Sequence, residues 1–216
     1  MRLLASCLLL LFACDPPRKW EVVQVDPAKI TVMADKLNLR HDVVGEGKFA
    51  GQATFALVDA RNQHGVDVEV TLGGDLIDAR GQVVGALRPE SLRIPAGARR
   101  TFALVDDRNQ ARPSAVSARV RVVGATETRH ADMLSVDRGT IHTLGEDRLQ
   151  ASAILDNRAE RNVKVIVLAA FYDAADRPVA RPFSVLELDG KTSRPVEFTG
   201  PPGSTKGYIF TGQLVY

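Results

Sequence analysis

Alternation is the feature that most limits what this chain can become. Val66, Val68, Val70 and Leu72 fall on one side of their stretch and Asp67, Glu69 and Thr71 on the other. A period of two gives one apolar and one polar face only if the backbone is extended. Val163, Val165, Val167, Ala169 and Phe171 repeat the pattern later in the chain. Further strands are expected over residues 21–25, 30–34, 36–44, 52–58, 82–87, 99–105 and 115–123, where β-branched residues are enriched and turn residues separate the runs. No stretch carries the 3.6-residue period of an amphipathic helix. The fold class that follows is all-β, with antiparallel strands half-buried on one face. Gly73 and Gly74 interrupt the first alternating run, as glycines in a strand do at a bulge.

The two alternating runs belong to a larger repeat. Ile77, Asp78, Gly81, Val83 and Val84 follow the first, and Tyr172, Asp173, Asp176, Pro178 and Val179 follow the second. Each run is preceded by an apolar strand with an acidic end, Phe55 to Asp59 and Ala153 to Asp156, and each is followed by a turn glycine, Gly97 or Gly190. The expected organisation is therefore two tandem domains, 20–123 and 125–216, each close to the ~100 residues of an immunoglobulin-like β-sandwich. Inside the first, residues 54–63 (TFALVDARNQ) and 101–110 (TFALVDDRNQ) are almost identical. Two strands with the same burial pattern and similar Asx turns account for this. A calcium site built from Asp59, Asp106 and Asp107 is the alternative, and it requires six or more oxygens around the ion.

These residues resemble a known pattern. Leu57, Asn62, Ile77, Asp78, Gly81, Val84, Pro95 and Gly97 in the first copy, with Ile154, Asn157, Phe171, Tyr172, Asp173 and Val179 in the second, look like the small bacterial envelope lipoproteins of the YcfL-like type and equally like FxLyD-type sandwich modules. Both copies depart from it, since Ile77 stands where an aromatic precedes the aspartate and Asp176 stands where the turn glycine would be. The resemblance implies an anchored binding or assembly role, without catalytic residues to carry over.

The amino terminus fits an anchored protein. Arg2 precedes an apolar run from Leu3 to Ala13, which closes as Leu11-Phe12-Ala13-Cys14. Eleven helical residues rise ~17 Å, short of the ~30 Å hydrocarbon layer, and Pro16-Pro17 forbids helical continuation, so neither a membrane span nor a core helix suits it. The segment resembles a bacterial lipoprotein signal, which implies removal of residues 1–13 and acylation of Cys14, with diacylglycerol and often a further fatty acid such as palmitate. Two or three acyl chains hold a protein on a bilayer essentially permanently. Residues 14–19 would be the lipidated cysteine and tether, and Arg18-Lys19-Trp20 suits either a headgroup layer or plain solvated charge before a core tryptophan. Asp15 after the cysteine looks like the inner-membrane retention signal of enteric bacteria, but lineages differ, so inner and outer membrane both stay open.

Charge and chemistry narrow the function. The full chain carries a formal net charge of +2, too balanced for nucleic-acid binding. Cys7 and Cys14 are the only cysteines, so once the leader is cut and Cys14 acylated neither a disulfide nor a cysteine metal site is available. His41, His64, His130 and His142 lack metal-ligand spacing; His130 and Asp132 could share a strand face, whereas His41 and Asp42 could not. Gly190-Lys191-Thr192 mimics the end of a phosphate loop without the glycine or helix such a loop needs. No cofactor, metal site or nucleophile is expected. The best candidate for anion or partner binding is the group Arg99, Arg100, Arg119 and Arg121, which lies with Arg88 and Arg93 in the later strands of the first domain. Guanidinium forks suit carboxylate or phosphate, as on an acidic protein or wall polymer; edge strands charged against aggregation are the plainer account. The expectation is a non-enzymatic, lipid-anchored envelope lipoprotein in the periplasm, an interaction or assembly module. The alternative is a periplasmic ligand-binding protein or enzyme with its site between the two domains.

Overall fold

A computed structural model describes residues 22–45, 50–128, 134–136, 140–144 and 148–215. It is a β-sandwich protein, with antiparallel sheets and only single 3₁₀ turns at Pro27–Lys29 and Ala34–Lys36 among the described residues. Cys14 and the leader lie outside them, as do His130 and Asp132.

In the amino-terminal half, β3 (Gly51–Asn62) is the centre of one sheet. β1 (Ile30–Val32) and β2 (Asn38–Val44) share one of its edges, and β6 (Arg99–Val105) takes the other. The facing sheet is β5 (Val83–Ile94), β4 (Val68–Asp78) and β7 (Ala115–Glu127), with β4 in the middle. Of the strand expected over 21–25, the described residues 22–25 contribute a bridge, Gln24 to Thr126, on the far side of β7. Ala56, Val58 and Ala60 of β3 meet Val68, Val70 and Leu72 of β4 in a core that excludes water. The alternation in β4 thus places its valines inward, as the burial of one strand face demands.

The carboxy-terminal half repeats this wiring. β10 (Arg148–Asn157) is flanked by β8 (Leu134–Val136) and β9 (Thr140–Leu144) on one edge and β14 (Ser193–Thr199) on the other. β11 (Val163–Tyr172) is flanked by β12 (Pro178–Ala180) and β13 (Phe183–Leu188) on one side and by β15 (Lys206–Val215) on the other. The turns match as well: Asp78 N–H donates to Gln82 O, and Asp173 N–H donates to Arg177 O. Asn62 and Asn157 do the same work in the two halves. Each side-chain amide bonds three backbone carbonyls, Val66, Ile94 and Pro95 in one case and Arg161, Leu188 and Asp189 in the other.

Strand ends differ from the sequence expectation where side-chain patterning is irregular. β5 extends seven residues past the expected end at 87, to Ile94, because a register shift opposite Leu72 and Gly74 restores the inward alternation after Pro89. Gly73-Gly74 does sit at this bulge, and a Cβ on Gly74 would lie 2.2 Å from Arg119 O. β7 runs on to Glu127, past the division expected at residue 124.

The core does not stop between the halves. Leu168, Ala170, Tyr172 and Phe210 of the second half belong to the same buried cluster as Phe102, Leu92 and Ile94 of the first. β11 is therefore buried on both faces. Val163, Val165 and Val167 pack within their own sandwich, while the intervening even-numbered residues from Ile166 to Tyr172 face its neighbour.

Candidate functional site

The near-identical segments turn out to pair with each other. β3 and β6 run antiparallel with Phe55 opposite Val105, Ala56 opposite Leu104 and Asp59 opposite Thr101. At the far end Asp106 N–H donates to Thr54 O. The ladder is consequently a local two-fold, threonine of one copy beside aspartate of the other at each end. Its two ends are ~17 Å apart at five residues of strand, so Asp59 cannot join Asp106 and Asp107 around one calcium ion. Among the described residues no group of His, Cys, Asp or Glu could hold a metal.

Each end buries its aspartate completely but completes it differently. Asp106 Oδ1 accepts the N–H groups of Arg108 and Gln110, both at 3.1 Å, and its Oδ2 accepts Arg112 Nε at 2.8 Å. Arg112 therefore holds the Asp106 carboxyl below its ordinary range. Thr54 Oγ1 there accepts Arg112 N–H at 2.7 Å and contacts His41 Nδ1 at 2.8 Å. At the other end Asp59 Oδ1 accepts Thr101 Oγ1 at 2.6 Å and the phenol of Tyr172, a residue of the second sandwich, at 3.1 Å. Tyr172 Oη and Thr101 Oγ1 are 2.7 Å apart. Asp59 Oδ2 has no hydrogen-bond partner, with Arg99 Nη1 at 3.6 Å. Burial outweighs these donors and pushes the Asp59 carboxyl up, and burial likewise pushes the Tyr172 phenol up.

Around this trio the two sandwiches exchange charge. Asp176 accepts Arg99 Nη1 at 3.0 Å, Lys36 Nζ at 2.8 Å and Lys206 Nζ at 3.1 Å. Hydrogen bonds from Arg99, then Lys36, hold its carboxyl far below the usual range. Asp176 has φ 60°, where its counterpart Gly81 has φ 79°. A left-handed backbone is unfavourable for a residue with a Cβ, and three cations keep it there. The guanidinium of Arg99 also lies 4.7 Å from the Tyr172 ring centre, and that of Arg100 lies 4.9 Å from the Phe210 ring centre.

β6 is an edge strand, and the junction occupies its outward groups. Ala103 N–H donates to Glu90 Oε2 at 2.8 Å, and Arg181 Nη2 reaches Glu90 Oε1 at 2.6 Å. Asn38 and Arg40 of β2 donate to the carbonyls of Pro178 and Val179. A shallow crevice of about 370 Å³ lies between the sandwiches, bordered by Pro89, Ser91, Leu92, Ile166, Leu168 and Gly212.

The four candidate arginines thus separate into two pairs. Arg99 and Arg100 lie on β6 and are engaged by the second sandwich. Arg119 and Arg121 lie exposed on the outer face of β7, on the other sheet, where Arg121 Nη1 bonds Asp75 at 2.9 Å. Alternation along β7 indicates that its two arginines share a face, but it cannot reveal that the β6 pair is covered by another domain. Gly190-Lys191-Thr192 is a tight turn between β13 and β14, with Lys191 N–H donating to Ala159 O. The Asp59–Thr101–Tyr172 cluster was the feature missed in the sequence. Its signal was the duplicated segment itself, because identical strands pair well with their own copies.

No family model matches the chain, and no curated protein matches it. Among solved structures, it is similar to a DUF1425 family member from Shewanella sp. pv-4, at 15% identity over 38% of this chain and 80% of that one, with a TM-score of 0.35. A second similarity is to the tandem CBM22-1–CBM22-2 domains of Paenibacillus barcinonensis Xyn10C, at 8% identity over 89% of each chain and a TM-score of 0.14.

Proposed function

We propose that this protein is a lipid-anchored envelope lipoprotein of the YcfL-like or FxLyD-type kind, attached through Cys14 with its sandwiches in the periplasm, and that it acts as a non-catalytic interaction or assembly module. The observation that carries this reading is the junction. One buried cluster runs from the first sandwich into the second, and Asp176 of the second draws Lys36 and Arg99 of the first across the junction while its own sandwich adds Lys206. Domain contacts of this apolar kind resist hinge motion. A body that does not hinge is suited to hold a binding face at a fixed height above a membrane, whereas a ligand site between domains needs an opening there.

In this proposal the partner meets the Arg119 and Arg121 face, which is free of the second sandwich, and Arg99 and Arg100 serve the junction instead. An acidic envelope protein or wall polymer fits such a surface. Mass spectrometry of the amino-terminal peptide tests the anchor: a diacylglyceryl Cys14 that vanishes when lipoprotein signal processing is blocked is the expected result, and an unmodified Cys14 rejects it. Crosslinking in the native envelope, followed by identification of the captured protein, tests the module. Loss of capture in the double variant Arg119→Glu, Arg121→Glu supports the face, and unchanged capture removes it.

A further inference from the structure

The strand β13 has its charge, Glu187, near one end and presents two exposed apolar side chains at the other, where other edges are protected along their length. β14 has Pro195 between Arg194 and Val196, β2 carries Arg40 and Asp42, β15 is interrupted by a register shift opposite Val165 and Val167, and β5 is covered by β6 through the Leu87–Asp106 bridge. Proline, charge, bulges and covering elements are the usual ways of keeping an edge from pairing. Phe183 and Val185, by contrast, are 59% and 46% exposed on β13. Both stand on the outer face beside their partners Leu168 and Ile166, which border the crevice between the sandwiches.

Backbone pairing fixes which groups are available. Pro182 O accepts from Ala169 N–H, and Ser184 and Leu186 stand opposite Val167 and Val165. Bonded residues alternate in an antiparallel pair, so Ser184 and Leu186 face β11 while the N–H and C=O groups of Phe183, Val185 and Glu187 point away from the sheet.

We infer that β13 is a homodimerisation edge, pairing antiparallel with β13 of a second copy about a two-fold axis at Ser184. In that register Phe183 stands opposite Val185 of the second copy, and Val185 opposite its Phe183. Both residues present outward backbone groups, so each opposed pair closes reciprocal hydrogen bonds. The same register puts Phe–Val pairs side by side on one face, the cross-strand combination that stabilises sheets. A register centred on Val185 would instead oppose Phe183 to Glu187, whose side chain is 79% exposed beside Lys164. The occupant is a second copy because an edge paired with itself gives a closed, isologous interface, and the register centred on Ser184 opposes the two exposed apolar side chains of one copy to those of the other.

The test is cysteine crosslinking of the full chain. Ser184→Cys places the new thiols across the axis in the close, non-hydrogen-bonded position, within disulfide reach. The expected result is a disulfide-linked dimer several-fold in excess of that formed by the unaltered chain and by Glu197→Cys on β14. Adding Val185→Pro deletes an outward donor that β11 does not use, so the excess is lost while the unfolding midpoint is kept. Phe183→Lys, at an exposed position, is the companion variant should proline impair folding, with the same loss expected. Crosslinking of Ser184→Cys no greater than the controls, or to a different envelope protein instead of a second copy, overturns the inference.

Discussion

The two sandwiches present the same outer sheet face to different surroundings. In the first, Gly73 stands opposite Arg121, Asp75 opposite Arg119 and Ile77 opposite Ser117. In the second, the corresponding pairs are Leu168–Phe210, Ala170–Tyr208 and Tyr172–Lys206. One face is small, charged and solvated; the other is apolar and locked into the neighbouring sandwich. Backbone wiring is thus shared, and the residues that decide docking are a few outward positions on the central and last strands of each repeat.

The sharpest way to break this comparison is to truncate matched positions. Phe210→Ala should cost about 3–5 kcal/mol, since it empties a buried ring site and strips Arg100 of its ring partner. Arg121→Ala, at the same place in the first repeat, should change stability by less than about 0.5 kcal/mol. Denaturant unfolding of both variants measures the gap, and equal losses would mean that the faces do not differ in role. Tyr172→Phe is a smaller cut. It keeps the ring and leaves Asp59 with the Thr101 hydroxyl alone, at a cost of about 1–3 kcal/mol for an unsatisfied buried acceptor.

Acid titration separates the two carboxylates of the junction by sign. Asp176 has its folded value depressed, so its contribution is present above the unfolded value near 3.8 and is lost as pH falls below it. Asp176→Asn should therefore lower stability at pH 7 by about 1 kcal/mol, an exposed-network magnitude, and flatten the acid limb of the stability profile. Asp59 is the reverse. Its folded value is raised, so the chain is most stable with that carboxyl protonated and loses stability as pH climbs from 3.8 through the folded value. Asp59→Asn should leave stability at pH 7 equal to or above that of the parent. Unfolding midpoints between pH 3 and pH 8 (~ the range in which carboxylates decide stability) check both, and the same sign for the two variants would refute the assignment. The smallest effect belongs to Arg119→Glu with Arg121→Glu, expected within about 0.5 kcal/mol of the parent by thermal unfolding even where partner capture is lost.

Much of the fold was legible in the sequence because strand burial writes itself as alternation. Val68 to Leu72 and Val163 to Phe171 identified the central strands, although Val66, expected on the same inward face, precedes β4 and is exposed, and the Asp78 and Asp173 turns that follow them carry matching hydrogen bonds. The differences between the two copies were legible only as irregularities. Asp176 in a glycine position and Tyr172 where the first copy has Ile77 make physical sense once the second repeat is docked, for one carries the junction's charge and the other its buried hydroxyl. Arg99 and Arg100 show the limit from the other side. A strand's own pattern reports which side chains point together, and it holds no information about a domain arriving on that side from far along the chain.

The self-matching ladder of β3 and β6 has a further consequence for how the chain reaches its folded state. Since residues 54–59 are as complementary to a copy of themselves as to residues 101–106, newly made molecules that meet before folding can form the same pairing between chains. Folding of the chain one molecule at a time, or refolding at high dilution, removes that competitor, and a crowded refolding mixture favours entanglement through this hexapeptide.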